Sequence, residues 1–483
     1  MKLRHFILCI LASLTLARIA SAQSRQQVKT DSVLTLLKKY YNNRQADSIY
    51  NLCGTAFRKE LSLDAFKGVA YNSLFRMGNI TDASLISFLN NKVGRYKISF
   101  NYSTLQLLLS LDERDKIEMM LFKPFKEESK IKLKLVPSDN KIHSLMDRQV
   151  DSVVRTYIQK ENTIGMSIAV IKNGITHSYN YGETARGNGK LPTSNNLFEI
   201  GSITKTFTAT LLAWYANAGV LKLTDPITKY LPDSVKINHQ LQGITLQMLS
   251  NHTSGLPRLP DNLAETTKDQ LNPYKDYTKA NLFSYLRVCS LDNKPGEKYA
   301  YSNLAVGLLG VILEKVSGKS FEQLVKEIIC IPLGMRSTVQ HVGPSLKPQM
   351  VSLYNEDGNP TPAWNFNALA ACGSLRSSLN DLIVYAKANM QPTNGRLGKA
   401  IQLTHRQTFN HDVKVALAWH IISVNGTDYI FHNGGTYGSS SFMAFNSTNK
   451  LVVVMLSNCG ENTDATGIDL LKKLQMSAGG KKK

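Results

Sequence analysis

The spacing of apolar residues predicts helices first and strands second in the N-terminal quarter of the chain. Apolar positions between Thr30 and Arg44 recur at intervals of three and four, which is typical of an amphipathic helix. The same spacing predicts a second helical region over residues 47–58, and an acid-capped turn is predicted over residues 62–69. Strands are predicted over residues 96–103, 105–111 and 116–122. Helices followed by a run of strands indicate a small α+β unit.

The remaining chain has strands at both ends and helices between them. A helix is predicted over residues 142–160, and strands over residues 164–171 and 175–181 flank Asn173-Gly174, the favoured two-residue turn of a β-hairpin. A helix ending near Gly219 follows, then helices at 245–251, 304–316 and 321–329, strands at 415–424, 429–432, 440–445 and 451–457, and a last helix at 468–475. We therefore expect one antiparallel sheet, built from both ends of this domain, flanked by helices and interrupted by a helical insert.

The N-terminus has the pattern of a cleavable secretory signal, predicted over residues 1–22. Lys2 and Arg4 precede an apolar run from Phe6 to Leu16, and the small residues Ala20-Ser21-Ala22 follow it. An uncleaved membrane anchor is the alternative, but the run is well short of the roughly 20 residues that span a bilayer. The protein is thus expected in the periplasm or outside the cell. The further domains are predicted at 23–126 (accessory unit), 127–140 (linker) and 141–477 (second domain).

Length and composition limit the number of domains and the partners and cofactors that are expected. With 483 residues, 43% of them hydrophobic, the chain is long enough for two cored domains. The net charge of +21 is compatible with an anionic cell-wall or lipid surface, or with a generally solvated basic surface. No nucleic-acid motif or zinc signature occurs, so neither nucleic acid nor a metal or other cofactor is expected. The scattered cysteines outside the signal are expected to be buried thiols, with one disulfide as an open alternative.

The sequence around Ser202 suggests a serine nucleophile with a lysine partner. The SxxK pattern occurs four times, beginning at Ser129, Ser138, Ser202 and Ser447. Only Ser202 follows a glycine and precedes an apolar helix, which would bring Lys205 to the same helix face. A lysine can activate a serine hydroxyl as its general base. The alternative is an N-cap serine beside a solvated lysine.

Two further segments supply groups that such a serine would need. Tyr301-Ser302-Asn303 offers a phenol that can relay a proton and an amide that can hydrogen-bond a substrate carbonyl. His432-Asn433-Gly434-Gly435 ends a predicted strand, where small residues let backbone N–H groups approach a substrate. The N–H groups of Ser202 and Gly435 would together form an oxyanion hole.

These three segments, in this order, resemble the class C β-lactamase-related family, which includes D-alanyl-D-alanine carboxypeptidases, aminopeptidases and esterases. The resemblance extends from about Ile142 to Gln475 and includes the stretches 244–257, 295–310 and 331–335. It implies a serine β-lactamase/transpeptidase-like fold. Residues 96–113 and the order of elements before them resemble the nuclear-transport-factor-like accessory domains that precede some exported hydrolases.

The resemblance also implies roles for the residues. Ser202 would be the acyl-accepting nucleophile, Lys205 its base, and Tyr301 the proton shuttle that later activates water. Substrate binding would fall to Asn303, His432, Gly434 and Gly435. His432 occupies the position of the family's KTG lysine, a permanent cation, whereas a histidine is often neutral at pH 7. This difference favours a carboxypeptidase or esterase over a dedicated β-lactamase.

The expected function is therefore an exported serine hydrolase acting through an acyl-enzyme on a D-amino-acid peptide, such as a cell-wall peptide, an ester or a β-lactam. The alternative is a penicillin-binding or wall-binding protein that keeps the fold with little turnover. His252 and Asp381 are interpreted as a turn residue and a helix-start acid, outside the chemistry. The substrate, the ligand of the first domain, the oligomeric state and any disulfide are not determined by the sequence.

Overall fold

The computed structural model describes residues 25–89, 92–125 and 135–476, and the chain forms two compact units, residues 1–130 and 131–483. The predicted signal peptide and residues 127–134 of the predicted linker lie outside the described residues. Within those described ranges, every helix is too short or too polar to cross a membrane. The cysteines there, Cys53, Cys289, Cys330, Cys372 and Cys459, are all buried free thiols.

The first unit has helices followed by a four-stranded antiparallel sheet, as the apolar spacing predicts. Its elements are α1 (Arg25–Asn42), α2 (Ala46–Leu52), α3 (Thr55–Glu60), α4 (Leu63–Asn72), β1 (Ile80–Leu89), β2 (Val93–Phe100), β3 (Thr104–Leu111) and β4 (Ile117–Pro124). Strand β1 was absent from the prediction. Its pairing with β2 shifts register near Asp82 and again near Ser87, so its apolar residues do not keep a period of two. The nuclear-transport-factor-like assignment of this unit stays a prediction.

The second unit is organised around an eight-stranded antiparallel sheet. Its strands are β5 (Gly165–Lys172), β6 (Ile175–Gly182), β9 (Phe409–Asn410), β10 (Lys414–Val415), β11 (His420–Val424), β12 (Thr427–Gly435), β13 (Ser440–Asn446) and β14 (Leu451–Ser457), while β7 (Leu197–Glu199) and β8 (Arg376–Ser378) form a separate pair. The order β6-β5-β14-β13-β12-β11-β10-β9 joins the early hairpin to the late strands through β5 and β14. This confirms the predicted sheet built from both ends of the domain.

The helices of this unit lie on both faces of the sheet and in the insert between its two parts. They are α5 (Leu145–Ile158), α6 (Thr204–Asn217), α7 (Asp233–Lys236), α8 (Leu246–Ser250), α9 (Leu263–Thr266), α10 (Lys279–Leu286), α11 (Asn303–Ser317), α12 (Phe321–Val325), α13 (Ile331–Leu333), α14 (Leu379–Met390), α15 (Arg396–Thr404) and α16 (Asp464–Met476). Along β14, Val453 and Met455 pack in the core that contains α5 and α16. Val452 and Val454 pack in the core that contains α6 and α11.

Three local features refine the sequence prediction. Asn173 and Gly174 have φ of 52° and 83°, so the predicted Asn-Gly hairpin turn is present. The predicted strand 415–424 is broken, because Ala418 has a φ of 61° and donates its N–H to the Ser250 carbonyl. In the predicted linker, Pro137 accepts the Gly182 N–H at 2.8 Å, so this part of the segment is paired with the end of β6.

Two backbones approach closely where β12 ends. A Cβ at Gly434 would lie 2.1 Å from the Ile200 carbonyl oxygen, and one at Gly201 would lie 2.5 Å from the Gly435 nitrogen. Gly201 also has a φ of 47°, in the left-handed region that favours glycine. The last residues of β12 can therefore contact the turn before α6 only because both segments carry glycine.

We expect Gly434→Ala to lower the free energy of unfolding by about 3 kcal/mol or more, because the added methyl would meet backbone that cannot rotate away. Urea unfolding of the purified protein measures this change. Gly343→Ala is the matched control, since a Cβ there meets nothing within 4 Å. A Gly434→Ala variant as stable as the Gly343→Ala variant would contradict the close approach.

Candidate active site

Ser202 lies in a tight turn between a short strand and a buried helix. Strand β7 ends at Glu199, and Gly201–Ile203 form a 3₁₀ turn that leads directly into α6. The first ten residues of α6 are buried, so the helix is anchored on all sides. This anchoring holds the serine at the edge of the core, where a side chain can face a cleft.

Lys205 contacts Ser202 from the first turn of α6. Its side chain is completely buried, and its Nζ donates to Ser202 Oγ at 2.9 Å and to the Cys372 carbonyl at 2.6 Å. The same nitrogen lies 4.9 Å from the centre of the Tyr301 ring. The solvated-lysine alternative is therefore wrong for Lys205, which is held against the serine hydroxyl.

The Tyr301-Ser302-Asn303 segment is fixed by the start of α11. Ser302 caps this helix by accepting the Ala305 N–H at 2.9 Å and donates its own hydroxyl to the Pro257 carbonyl. Asn303 is buried and donates to the Tyr274 hydroxyl at 3.3 Å, while its Oδ1 has no partner among the described residues. These contacts hold the segment so that the Tyr301 ring lies beside Lys205.

His252 supports this segment from a strained turn. Its φ is 62°, its carbonyl accepts the Ala300 N–H at 2.8 Å, and its Nδ1 accepts the Ser302 N–H at 3.2 Å. The centroids of the His252 and Tyr301 rings are 4.4 Å apart. Burial, reinforced by the charge of Lys205, holds the pKa of His252 well below its ordinary value, so the ring is neutral and can accept at Nδ1. These contacts match the predicted turn role.

His432 is completely buried near the end of β12. Its Nδ1 donates to the Asn433 carbonyl at 2.6 Å, and its Nε2 has no partner among the described residues. Burial is the main cause that lowers the pKa of His432 well below its ordinary value, followed by the neighbouring His420 and Lys205. At neutral pH this position therefore carries no charge.

Some residues of the site carry no sequence motif. Tyr299 and His420 are joined by a 2.6 Å hydrogen bond between the phenol and Nε2, and burial lowers the pKa of His420 to about 4. Arg258 places its guanidinium 5.1 Å from the centre of the Tyr301 ring. Sequence reasoning missed these residues, because each lies in an ordinary strand or loop and only the fold brings them together.

The Glu199 side chain links the strand before Ser202 to three distant segments of the chain. Its carboxylate is buried and pairs with Arg376 at 3.1 Å, accepts the Trp364 N–H at 2.7 Å and accepts the Thr436 hydroxyl at 2.7 Å. Burial raises the pKa of Glu199, and the Arg376 guanidinium opposes that rise. The sequence signal for this role is that Glu199 is an acidic residue within the otherwise apolar stretch 197–200.

A cavity of about 430 Å³ lies over Ser202. Its wall consists of Ser202, Arg258, Tyr299, Tyr301, His420, Phe431, Asn433, Gly434, Gly435, Ser440, Gly460 and Asn462. Of the predicted site residues, Ser202, Tyr301, Gly434 and Gly435 therefore line one space. Lys205, Asn303 and His432 are buried and lie outside its lining.

Asp381 lies away from this cavity, in the first turn of α14. Its carboxylate accepts from the Ser337 N–H at 2.7 Å and from the Thr338 hydroxyl at 2.8 Å. The predicted role of a helix-start acid agrees with these contacts.

The second unit is similar in sequence to known proteins. A family model described as Beta-lactamase matches residues 150–475. A Beta-lactamase of Pseudomonas fluorescens is 32% identical over 277 residues, which cover 56% of this chain and 73% of the relative. The D-alanyl-D-alanine-carboxypeptidase/endopeptidase AmpH of Escherichia coli (strain K12) is 32% identical over 240 residues, covering 50% of this chain and 60% of the relative.

Solved structures show the same fold. The structure of a beta-lactamase/D-alanine carboxypeptidase from Pseudomonas syringae is 26% identical with a TM-score of 0.61, and the match covers 69% of this chain and 99% of that one. A class C beta-lactamase is also 26% identical, with a TM-score of 0.62 over 70% of this chain and 97% of that one. Together with the family match, these likenesses show that the chain belongs to the beta-lactamase family of serine hydrolases.

Proposed function

We propose that the protein is an exported hydrolase that acts through a Ser202 acyl-enzyme on a D-amino-acid peptide, an ester or a β-lactam. The observation that carries this proposal is the 2.9 Å contact between Lys205 Nζ and Ser202 Oγ at the floor of a cavity that Tyr301 also lines. Export is supported by the signal-like residues 1–22. The related beta-lactamase and D-alanyl-D-alanine carboxypeptidase support the range of substrates.

The proposed reaction has two stages. Lys205 receives the Ser202 proton while Oγ attacks the substrate carbonyl, and the N–H groups of Ser202 and Gly435 stabilise the oxyanion. Tyr301 passes a proton to the leaving group, and the carbonyl is restored as the acyl-enzyme. In the second stage Tyr301 activates a water molecule, which attacks the acyl-enzyme and releases the acid with regeneration of the Ser202 hydroxyl.

The neutral state of His432 affects which class of substrate the site favours. A substrate carboxylate directed toward this position would find no positive charge, because the ring is buried and its pKa is lowered. Because this neutral histidine stands where the resemblance implies the family's KTG lysine, we favour a peptidase or esterase over a dedicated β-lactamase. A parallel assay of nitrocefin, a D-Ala-D-Ala peptide and a short-chain ester would rank the three substrates directly.

Ser202→Ala is expected to abolish turnover of a p-nitrophenyl ester, because it removes the hydroxyl that Lys205 Nζ contacts at 2.9 Å. The melting temperature should be nearly unchanged, since the serine lies at the cavity surface. Mass spectrometry should also show a fluorophosphonate or penicillin adduct on Ser202 of the native protein. Absence of any adduct would favour the alternative of a binding protein without turnover.

Lys205→Ala should lower the ester hydrolysis rate about 100-fold or more, because the general base is removed. Steady-state kinetics of the folded variant measure this loss. Lys141→Ala is the matched control, since Lys141 belongs to another SxxK pattern and its side chain is exposed. Equal rates for the two variants would eliminate Lys205 as the base.

The rate with a neutral ester should show no histidine titration between about pH 5.5 and 7.5. The reason is that burial lowers the pKa of His420 to about 4 and holds the pKa of His432 well below its ordinary value, so acidification through the ordinary histidine range adds no charge to them. Measured kcat/KM across this range checks the expectation. A limb near pH 6.5 that disappears in His432→Gln would show that His432 titrates normally.

A further inference from the structure

The cavity over Ser202 contains one permanent cation in its wall, Arg258. The side chain is exposed, and its guanidinium lies 5.1 Å from the centre of the Tyr301 ring. An arginine guanidinium is charged at any physiological pH and presents a planar fork of donors. The position beside Tyr301 places this charge next to the group proposed to move the proton.

The backbone of Arg258 is tied to the segment that carries Tyr301. Its carbonyl accepts the Asn303 N–H at 2.9 Å and the Leu304 N–H at 3.3 Å. The preceding residue, Pro257, accepts the Ser302 hydroxyl at 2.7 Å. Three hydrogen bonds thus fix the backbone from which the Arg258 side chain extends relative to Tyr301, although the loop has no regular secondary structure.

The positive charge of Arg258 is not balanced by an acidic side chain in the cavity lining. The cavity lining contains neither aspartate nor glutamate. None of the ion pairs formed within residues 25–89, 92–125 and 135–476 includes Arg258. The cleft therefore offers an uncompensated positive charge to whatever enters it.

The other basic groups of the site cannot offer the same interaction. Lys205 is buried and already donates to Ser202 and Cys372. His432 and His420 have lowered pKa values and are neutral at pH 7. Arg258 is thus the cation of this site that a substrate can reach.

We propose that Arg258 is a specificity-determining residue that binds a carboxylate carried by the substrate. This inference rests on the proposed hydrolase function and adds to it the residue that binds a free carboxylate close to the scissile bond. A carboxylate matches the guanidinium fork in a two-point hydrogen bond, which a lysine does not reproduce. Arg258, in the cavity wall, thereby supplies the cation that is missing at the buried His432.

Two matched pairs of thioesters test this assignment. In the first pair, N-acetylglycine is esterified with thioglycolic acid or with thioglycolamide, so that only the leaving group differs in charge. In the second, the ethyl thioesters of N-succinylglycine and N-succinamoylglycine differ in charge on the acyl side. We expect the native enzyme to prefer the carboxylate member of at least one pair by about 10- to 100-fold in kcat/KM, mainly through KM.

Arg258→Gln should lower kcat/KM for the carboxylate member more than for its uncharged partner, so that the ratio between them falls to about one, and Arg258→Lys should restore part of the ratio. Arg287→Gln, at an exposed arginine outside the cavity lining, should behave as the native enzyme. Absence of a preference in both pairs would overturn the inference. A preference that survives in Arg258→Gln would also overturn it. An equal loss of kcat/KM with charged and uncharged thioesters would overturn it as well, because Arg258 would then act on the proton transfer by Tyr301.

A binding measurement separates this inference from the proposed function. Titration calorimetry of Ser202→Ala with the same four thioesters needs no turnover. Tighter binding of a carboxylate member, lost in Ser202→Ala/Arg258→Gln, would support the Arg258 site even if the native protein proved inactive. Equal binding of both members of each pair would overturn it even if the native protein hydrolysed them.

Discussion

The contact between the turn before α6 and the end of β12 is the constraint on which the active site depends. Gly201 and Gly434 permit it, because any side chain at Gly434 would overlap the Ile200 carbonyl. Strand β13 and the residue before it reinforce the contact. Ser441 donates its hydroxyl to the same carbonyl at 2.9 Å, and Ser439 donates its hydroxyl to the Glu199 carbonyl at 2.8 Å. The sheet therefore holds the serine turn by close backbone approach, supported by two short serine side chains.

Beside this contact, the buried Glu199 carboxylate is satisfied by partners far away in the chain. The Glu199 carboxylate joins β7, the Trp364 segment and Thr436, and its charge is balanced by Arg376. A buried pair of this kind costs desolvation energy and is tolerated only when its other hydrogen bonds are made. The site is thus preorganised by a connected network, which reduces the reorganisation needed when charge develops on a substrate oxygen.

The distribution of charge in the site follows from burial. Lys205 is completely buried against Ser202, and its charge helps to keep His252 and His432 neutral. Arg258, in contrast, is exposed at the cavity wall. Lys205 is therefore committed to the serine, and Arg258 is free to face a ligand, a division that does not require a charged side chain at position 432.

The sequence by itself determined the local elements and the order of the motifs. The Asn173-Gly174 turn, the late strands and the apolar helix after Ser202 depend on neighbouring residues, so periodicity and turn chemistry were sufficient to predict them. Strand β1 escaped prediction, because its register shifts arise from pairing with β2. Only the tertiary structure decided that His432 is buried and neutral, and that Arg258 lies beside Tyr301. Burial and pKa depend on residues far apart in the chain, and no local pattern encodes them.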